Sequence, residues 1–117
     1  MARIYDLIMR ISRDYNHPII KITESRCSYL DAPYAGKNGR VPDKPRFDFF
    51  REELRELARA MSEDARARAF HAWSLLDNFE WANGYAERYG ITSVDFRNQK
   101  RTVKDSGLWG ALPQRIA

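Results

Sequence analysis

Ile19-Ile20-Lys21-Ile22-Thr23-Glu24, directly after Pro18, is the stretch on which the fold turns. Isoleucine and threonine favour extended chain, and the residue before a proline is pushed out of the α region, so His17-Pro18 ends whatever helix precedes. A period of two then puts Ile20, Ile22 and Glu24 on one side and Ile19, Lys21 and Thr23 on the other. An acid therefore closes a buried strand.

Upstream, residues 3–15 place Ile4, Leu7, Ile8 and Ile11 at i, i+3, i+4 and i+7, the stripe of an amphipathic helix starting almost at Met1. Downstream, residues 25–45 hold Pro33, Gly36, Asn38, Gly39, Pro42 and Pro45 and read as a long loop. Loops of that length are usually functional or disordered. The clearest helix is expected over residues 46–61, with Phe47, Phe50, Leu54, Leu57, Ala58 and Met61 as its apolar stripe and Asp43 as its cap. A second strand is expected at about 67–74, then a β-hairpin over 90–104 turning at Arg97-Asn98-Gln99. The tail from Ser106, with Gly107, Gly110 and Pro113, has room for a short helix.

Helix, strand, helix, strand predicts two parallel strands joined by a right-handed crossover. Parallel strands need both faces and both flanks covered, and two of them with a hairpin leave edges open to another chain. The pattern is that of an α/β slice of a larger fold, with residues 1–117 as one piece and no second domain.

Composition narrows the function. Hydrophobic residues make up 44% and charged residues 31% of the 117, which describes a globular chain and not a disordered one. The net charge of +4 is spread, with Arg51, Arg55 and Arg59 interleaved with Glu52, Glu53 and Glu56. It reads as a solvated face rather than a nucleic-acid footprint. Lys100, Arg101 and Lys104 make only a small basic cluster. The single cysteine, Cys27, excludes an internal disulfide, has no metal-site spacing around it and fits a reducing compartment. No metal or other cofactor is expected. No apolar run reaches the length of a membrane span, and Asp6, Arg10 and Arg13 interrupt any leader-like core, so the expected location is the cytoplasm.

The second strand runs into His71-Ala72-Trp73-Ser74-Leu75-Leu76-Asp77-Asn78-Phe79-Glu80-Trp81. Flat, partly apolar sugar faces favour aromatic platforms, and hydroxyls favour carboxylates. Strand-end acids among tryptophans thus suit a sugar pocket of the kind built on loops after barrel strands. Taken singly, these residues have plainer readings. Glu24 would be a solvated acid, Trp73 and Trp81 core or rim aromatics, His71 a packed structural histidine and Cys27 a small buried hydrophobe. Glu80, between Phe79 and Trp81, needs a partner for its charge.

Together, Ile22-Thr23-Glu24, Cys27-Ser28-Tyr29-Leu30-Asp31 and the run from His71 to Trp81 resemble glycoside hydrolase family 1, the β-glucosidases. The similarity continues through Gly84-Tyr85, Arg88-Tyr89-Gly90, Val94-Asp95-Phe96 and Arg101-Thr102-Val103-Lys104-Asp105-Ser106. The resemblance implies a (β/α)8 TIM barrel, of which this chain matches the last quarter: the final two β/α units plus the hairpin. It implies Glu24 as the nucleophile of a retaining hydrolase acting on terminal β-D-glycosidic bonds. It also implies Trp73, Glu80, Trp81 and Tyr89 as sugar-binding residues, with no cofactor.

Two departures stand out. Where the family usually writes Thr-Glu-Asn-Gly, this chain has Thr23-Glu24-Ser25-Arg26: the arginine either strains or crowds a place that glycine suits, or favours the ionised form of the expected nucleophile beside it. The Asn-Glu-Pro segment that carries the family's general acid/base does not occur here. The expectation is a chain inactive alone, acting on a β-glucoside or related sugar once a complementing N-terminal barrel fragment, or self-association, supplies the rest. The alternative is a non-catalytic sugar-binding or oligomerising remnant.

Overall fold

The computed structural model describes residues 4–31 and 35–110. In chain order the elements are α1 (Ile4–Asp14), β1 (Ile20–Arg26), α2 (Lys44–Ser62), β2 (Ala67–Trp73), a 3-10 turn (Trp81–Asn83), β3 (Thr92–Asp95), β4 (Lys100–Val103) and α3 (Asp105–Gly110). The expected elements are present with ends shifted by at most two residues. The expected helix start at residue 3, Pro33 of the loop, and Pro113 of the tail lie outside the described residues.

β1 and β2 pair in parallel, and β3 and β4 form a separate antiparallel pair. One apolar cluster of Ile8, Leu57, Ala60, Ala65 and Ala67 fills the angle between α1, α2 and the β1–β2 pair. Ile4, Met9, Ile20, Ile22, Leu54 and Phe70 pack around it. Phe50 on α2 meets Phe70 on β2 edge-on, with ring centroids 6.5 Å apart.

Several expectations need correction. The strict alternation of β1 fails after Ile22: Thr23 and Glu24 are both exposed and Ser25 is buried. The cause is the register. Ile22 faces Phe70 and Ser25 faces Ala72, so three steps on β1 match two on β2. The extra residue is a bulge, which shifts the phase of every side chain beyond it.

Pro45 lies inside the first turn of α2 rather than in the loop, where its missing N–H costs nothing. Asp43 occupies the N-cap position but makes no capping side-chain bond. Its carboxylate accepts instead from Arg46, 2.8 Å away. Met61 is more than a third exposed, so the buried stripe of α2 ends at Ala60. His71 is exposed, not packed, although its Nδ1 lies 3.0 Å from the Ile22 carbonyl. Cys27 is only half-buried.

Candidate functional site

The C-terminal ends of β1 and β2 lie side by side, with Arg26 opposite Trp73 in the register. The chain leaving β2 then runs against residues 89–92. Ser74 N donates to Tyr89 O at 3.1 Å, Ile91 N to Ser74 O at 2.8 Å and Thr92 N to Leu75 O at 3.0 Å. This brings Tyr89 next to the end of β2. Gly90 permits the approach, since a Cβ there would come within 2.2 Å of Asp77 N.

Three of the five expected site residues gather around one cation. Arg26 Nη1 donates to Glu80 Oε1 at 2.9 Å, and the same guanidinium lies 5.4 Å from the centre of the Tyr89 ring. Trp73 is its neighbour across the strand pair. Glu80 is buried and opens a tight turn, with its N–H donating to Gly84 O at 2.8 Å and its carbonyl accepting from Gly84 N at 3.1 Å. Gly84 has φ 58°, where glycine carries no side-chain penalty. The partner that the Glu80 charge requires is thus Arg26, supplied from 54 residues earlier in the chain.

The other two expected residues stand apart from this group. Glu24 lies within the bulge, between Ile22 and Ser25, and is exposed, lining an open groove with Ile4, Leu7, Ile11 and Glu53. Trp81, in the 3-10 turn, is 86% exposed. The guanidinium expected beside Glu24 reaches Glu80. Arg26 itself sits in β1, outside the left-handed region, so its substitution for a glycine brings no backbone strain there.

Beneath these residues lies a buried ionic network that the sequence reading missed. Arg46 Nη1 contacts Asp31 at 2.7 Å and Asp43 at 2.8 Å. Lys104 Nζ contacts Asp31 at 2.6 Å and Asp77 at 2.9 Å. Arg88 donates to Asp77 at 2.8 Å, and Ser106 N to Asp43 at 2.8 Å. Three carboxylates and three cations balance, as a buried group of charges must. Burial disfavours the Arg46 charge, but the bond to Asp43 and the field of Asp31 outweigh it and raise its pKa.

The network ties the loop after β1, the start of α2, the loop after β2 and the start of α3 into one unit. Lys104 is therefore no part of an exposed basic cluster: it is fully buried, which leaves Lys100 and Arg101 outside. The available signal was chemical. Asp31, Asp77, Arg88 and Lys104 all fall within the stretches that carry the family resemblance. Among the described residues, no group of three or more His, Cys, Asp or Glu side chains is placed to hold a metal.

Comparison with known proteins gives this geometry a setting. The chain is 42% identical over 106 residues to Beta-glucosidase A of Acetivibrio thermocellus, covering 91% of this chain and 23% of that protein. It is also 42% identical over 107 residues to the 6-phospho-beta-galactosidase of Streptococcus equi subsp. zooepidemicus, covering 91% of this chain and 22% of that protein. The family 1 β-glucosidase structure from Thermotoga maritima superposes with a TM-score of 0.86 at 40% identity, covering 91% of this chain and 23% of that one. The chain thus spans about a quarter of the length of the relatives it matches. The model of glycosyl hydrolase family 1 matches residues 2–111. With that match running through β1, β2 and the network beneath them, the chain belongs to glycosyl hydrolase family 1.

Proposed function

We propose that this chain is the C-terminal part of a retaining β-glycosidase, corresponding to the last two β/α units of a (β/α)8 barrel and the hairpin after them. In this role Glu24 is the nucleophile. Its carboxylate attacks the anomeric carbon while the glycosidic oxygen leaves with a proton, and water then releases the sugar from the covalent intermediate. Retention needs a second carboxyl group about 5–5.5 Å from the first. That acid/base is supplied by a part of the barrel outside this chain. Trp73 is a platform for the sugar face, Glu80 and Trp81 hold its hydroxyls, and Tyr89 lies at the pocket's edge.

One observation carries the proposal: Trp73, Glu80 and Tyr89 converge at the carboxyl ends of two adjacent parallel strands, the end at which α/β barrels place their active sites. The substrate class is a terminal β-D-glycoside, since the relatives named above are a β-glucosidase and a 6-phospho-β-galactosidase. No described helix is long and apolar enough to cross a membrane. Action in the cytoplasm, with no nucleic-acid or membrane partner, belongs to the same proposal.

The test is hydrolysis of an aryl β-glucoside by the chain alone and after mixing with the N-terminal part of a family 1 enzyme. Turnover is expected only in the mixture and should fall to background with Glu24→Gln. General acid/base assistance alone is worth about 10²–10⁴ in rate. Full turnover by the purified chain, or an active mixture indifferent to Glu24→Gln, would overturn the proposal.

A second reading rests on exposed apolar groups at the β1 side of the molecule, Leu7 at 55% and Ile19 at 56%. It is a non-catalytic sugar-binding or self-associating module. Sedimentation would then show a discrete folded oligomer whose sugar binding ignores Glu24.

A further inference from the structure

We infer that His71 is a positioning residue: its ring donates across the strand pair to the Ile22 carbonyl and so locks the bulge that turns Glu24 outward. The inference rests on the nucleophile role proposed for Glu24 and adds a residue that acts through it.

The register shows what has to be held. Ile20 faces Ala67 and Arg26 faces Trp73, so both ends of the pair follow one alignment. Between them Lys21 faces Ala69 and Ile22 faces Phe70, one residue further along β2. The two irregularities cancel. A uniform ladder between the same ends would set Ile22 against Ala69 and Glu24 against His71, so a simpler pairing competes with the displaced one.

The side chains explain what the displacement achieves. Ile20 and Ile22 pack against the core between the helices. Strict alternation would send Glu24 the same way, into an apolar interior where a carboxylate is costly. The bulge passes that inward place to Ser25, which is buried and donates to Glu53 Oε2 on α2 at 3.3 Å. Glu24 is left exposed.

His71 is the β2 residue opposite this excess, standing between Phe70 and Ala72, the partners of Ile22 and Ser25. Its Nδ1 lies 3.0 Å from Ile22 O. A carbonyl oxygen only accepts, so Nδ1 carries the proton and donates. Side chains therefore hold both ends of the bulge, His71 at Ile22 and Glu53 at Ser25. In the uniform ladder His71 would stand one residue, about 3.3 Å, further from Ile22, and the bond would be lost. The imidazole favours the alignment in which Glu24 faces outward.

The experiment is NMR on the full chain, unmodified and with His71→Phe or His71→Asn. Imidazole ¹⁵N shifts at about pH 8, where an ordinary histidine is neutral, give the tautomer. The Nδ1–H form is expected to dominate. Cross-strand NOEs give the register, with Ile22 against Phe70 and Ser25 against Ala72 in the unmodified chain. Phenylalanine keeps a ring but has no donor, so His71→Phe should gain contacts of Ile22 with Ala69 and of Glu24 with residue 71. Asparagine places an amide N–H close to where Nδ1 stood, so His71→Asn should keep the displaced set. In the mixture with the N-terminal part of a family 1 enzyme, His71→Phe should lower kcat by about 10²-fold, the scale of a misplacement of about 1 Å. KM should change little, and His71→Asn should recover most of the loss.

An Nε2–H tautomer in the unmodified chain would overturn the inference, as would displaced contacts that persist in His71→Phe or a kcat that this variant leaves unchanged. Equal losses in the two variants would overturn it too, since the ring and not its donor would then be the cause. If His71→Phe does not fold, the tautomer and His71→Asn decide. A mixture that never turns over removes the nucleophile role of Glu24, while the tautomer and the NOEs still judge the lock.

Discussion

Lys104 Nζ donates to Asp77 Oδ1 at 2.9 Å, and neither side chain is exposed to solvent. Through Asp77, which also accepts from Gly90 N and Arg88, the end of the hairpin is bound to the loop leading from β2 to Glu80. Removing one member of a buried pair leaves the other charged and unmatched, which costs about 3–5 kcal/mol. Lys104→Met is therefore expected to destabilise the chain by about that amount in urea unfolding. Arg101→Met, on the exposed side of β4, should stay within about 0.5 kcal/mol. Equal effects would mean that the network adds nothing to stability.

Ser25, the buried residue beyond the bulge, donates to Glu53 Oε2 at 3.3 Å. Burial pushes the Glu53 pKa up, the Ser25 bond works against that rise, and the charge of Glu56 adds to it. A carboxyl group whose pKa is raised by folding favours the fold while protonated, and that contribution is lost as pH rises through the folded value. Glu53→Gln should therefore stabilise the chain at pH 7, with the advantage fading toward about pH 3.5, where the unmodified acid is itself mostly protonated. Urea midpoints at the two pH values check this. A difference independent of pH would show that ionisation is not the cause.

Cys27 lies just past the end of β1, and its thiol is pushed up to about 11, chiefly by burial. Arg46 opposes the shift, and the charge of Asp31 adds to it. Only the thiolate reacts, and an ordinary cysteine has a pKa near 8.5, so at pH 8 the folded protein should carry about 10²-fold less thiolate than the unfolded chain. Reaction with a disulfide reagent is expected to be slower by about that factor in the folded state. Rates within about threefold of each other would show that the loop after β1 opens freely.

Local order was legible wherever a periodic pattern lay within one element. Ile4, Leu7, Ile8 and Ile11 mark α1, Phe50, Leu54 and Leu57 mark α2, and the two β runs appear close to where they were expected. The burial of β1 beyond Ile22 was not legible, because the bulge depends on how Ile22 and Ser25 meet Phe70 and Ala72 on another strand. Asp43 looked like a cap from its position, and only the presence of Arg46 and Ser106 beside its carboxylate shows why it does not act as one. Lys104 looked like a solvated base because its acidic partners lie 27 and 73 residues away.

The chain's own residues determined its elements and its family: periodicity is a local property, and the stretches around Glu24 and from His71 to Trp81 can be matched without coordinates. The partners of its charges were decided only by the tertiary structure. Which acid a lysine or arginine meets depends on how the β1–β2 register and the Gly90 contact bring distant loops together. Arg26 reads in the sequence as a neighbour of Glu24, yet folding carries its guanidinium across the strand ends to Glu80. Ion pairs are selected by distance and desolvation in three dimensions, and neither is a function of separation along the chain.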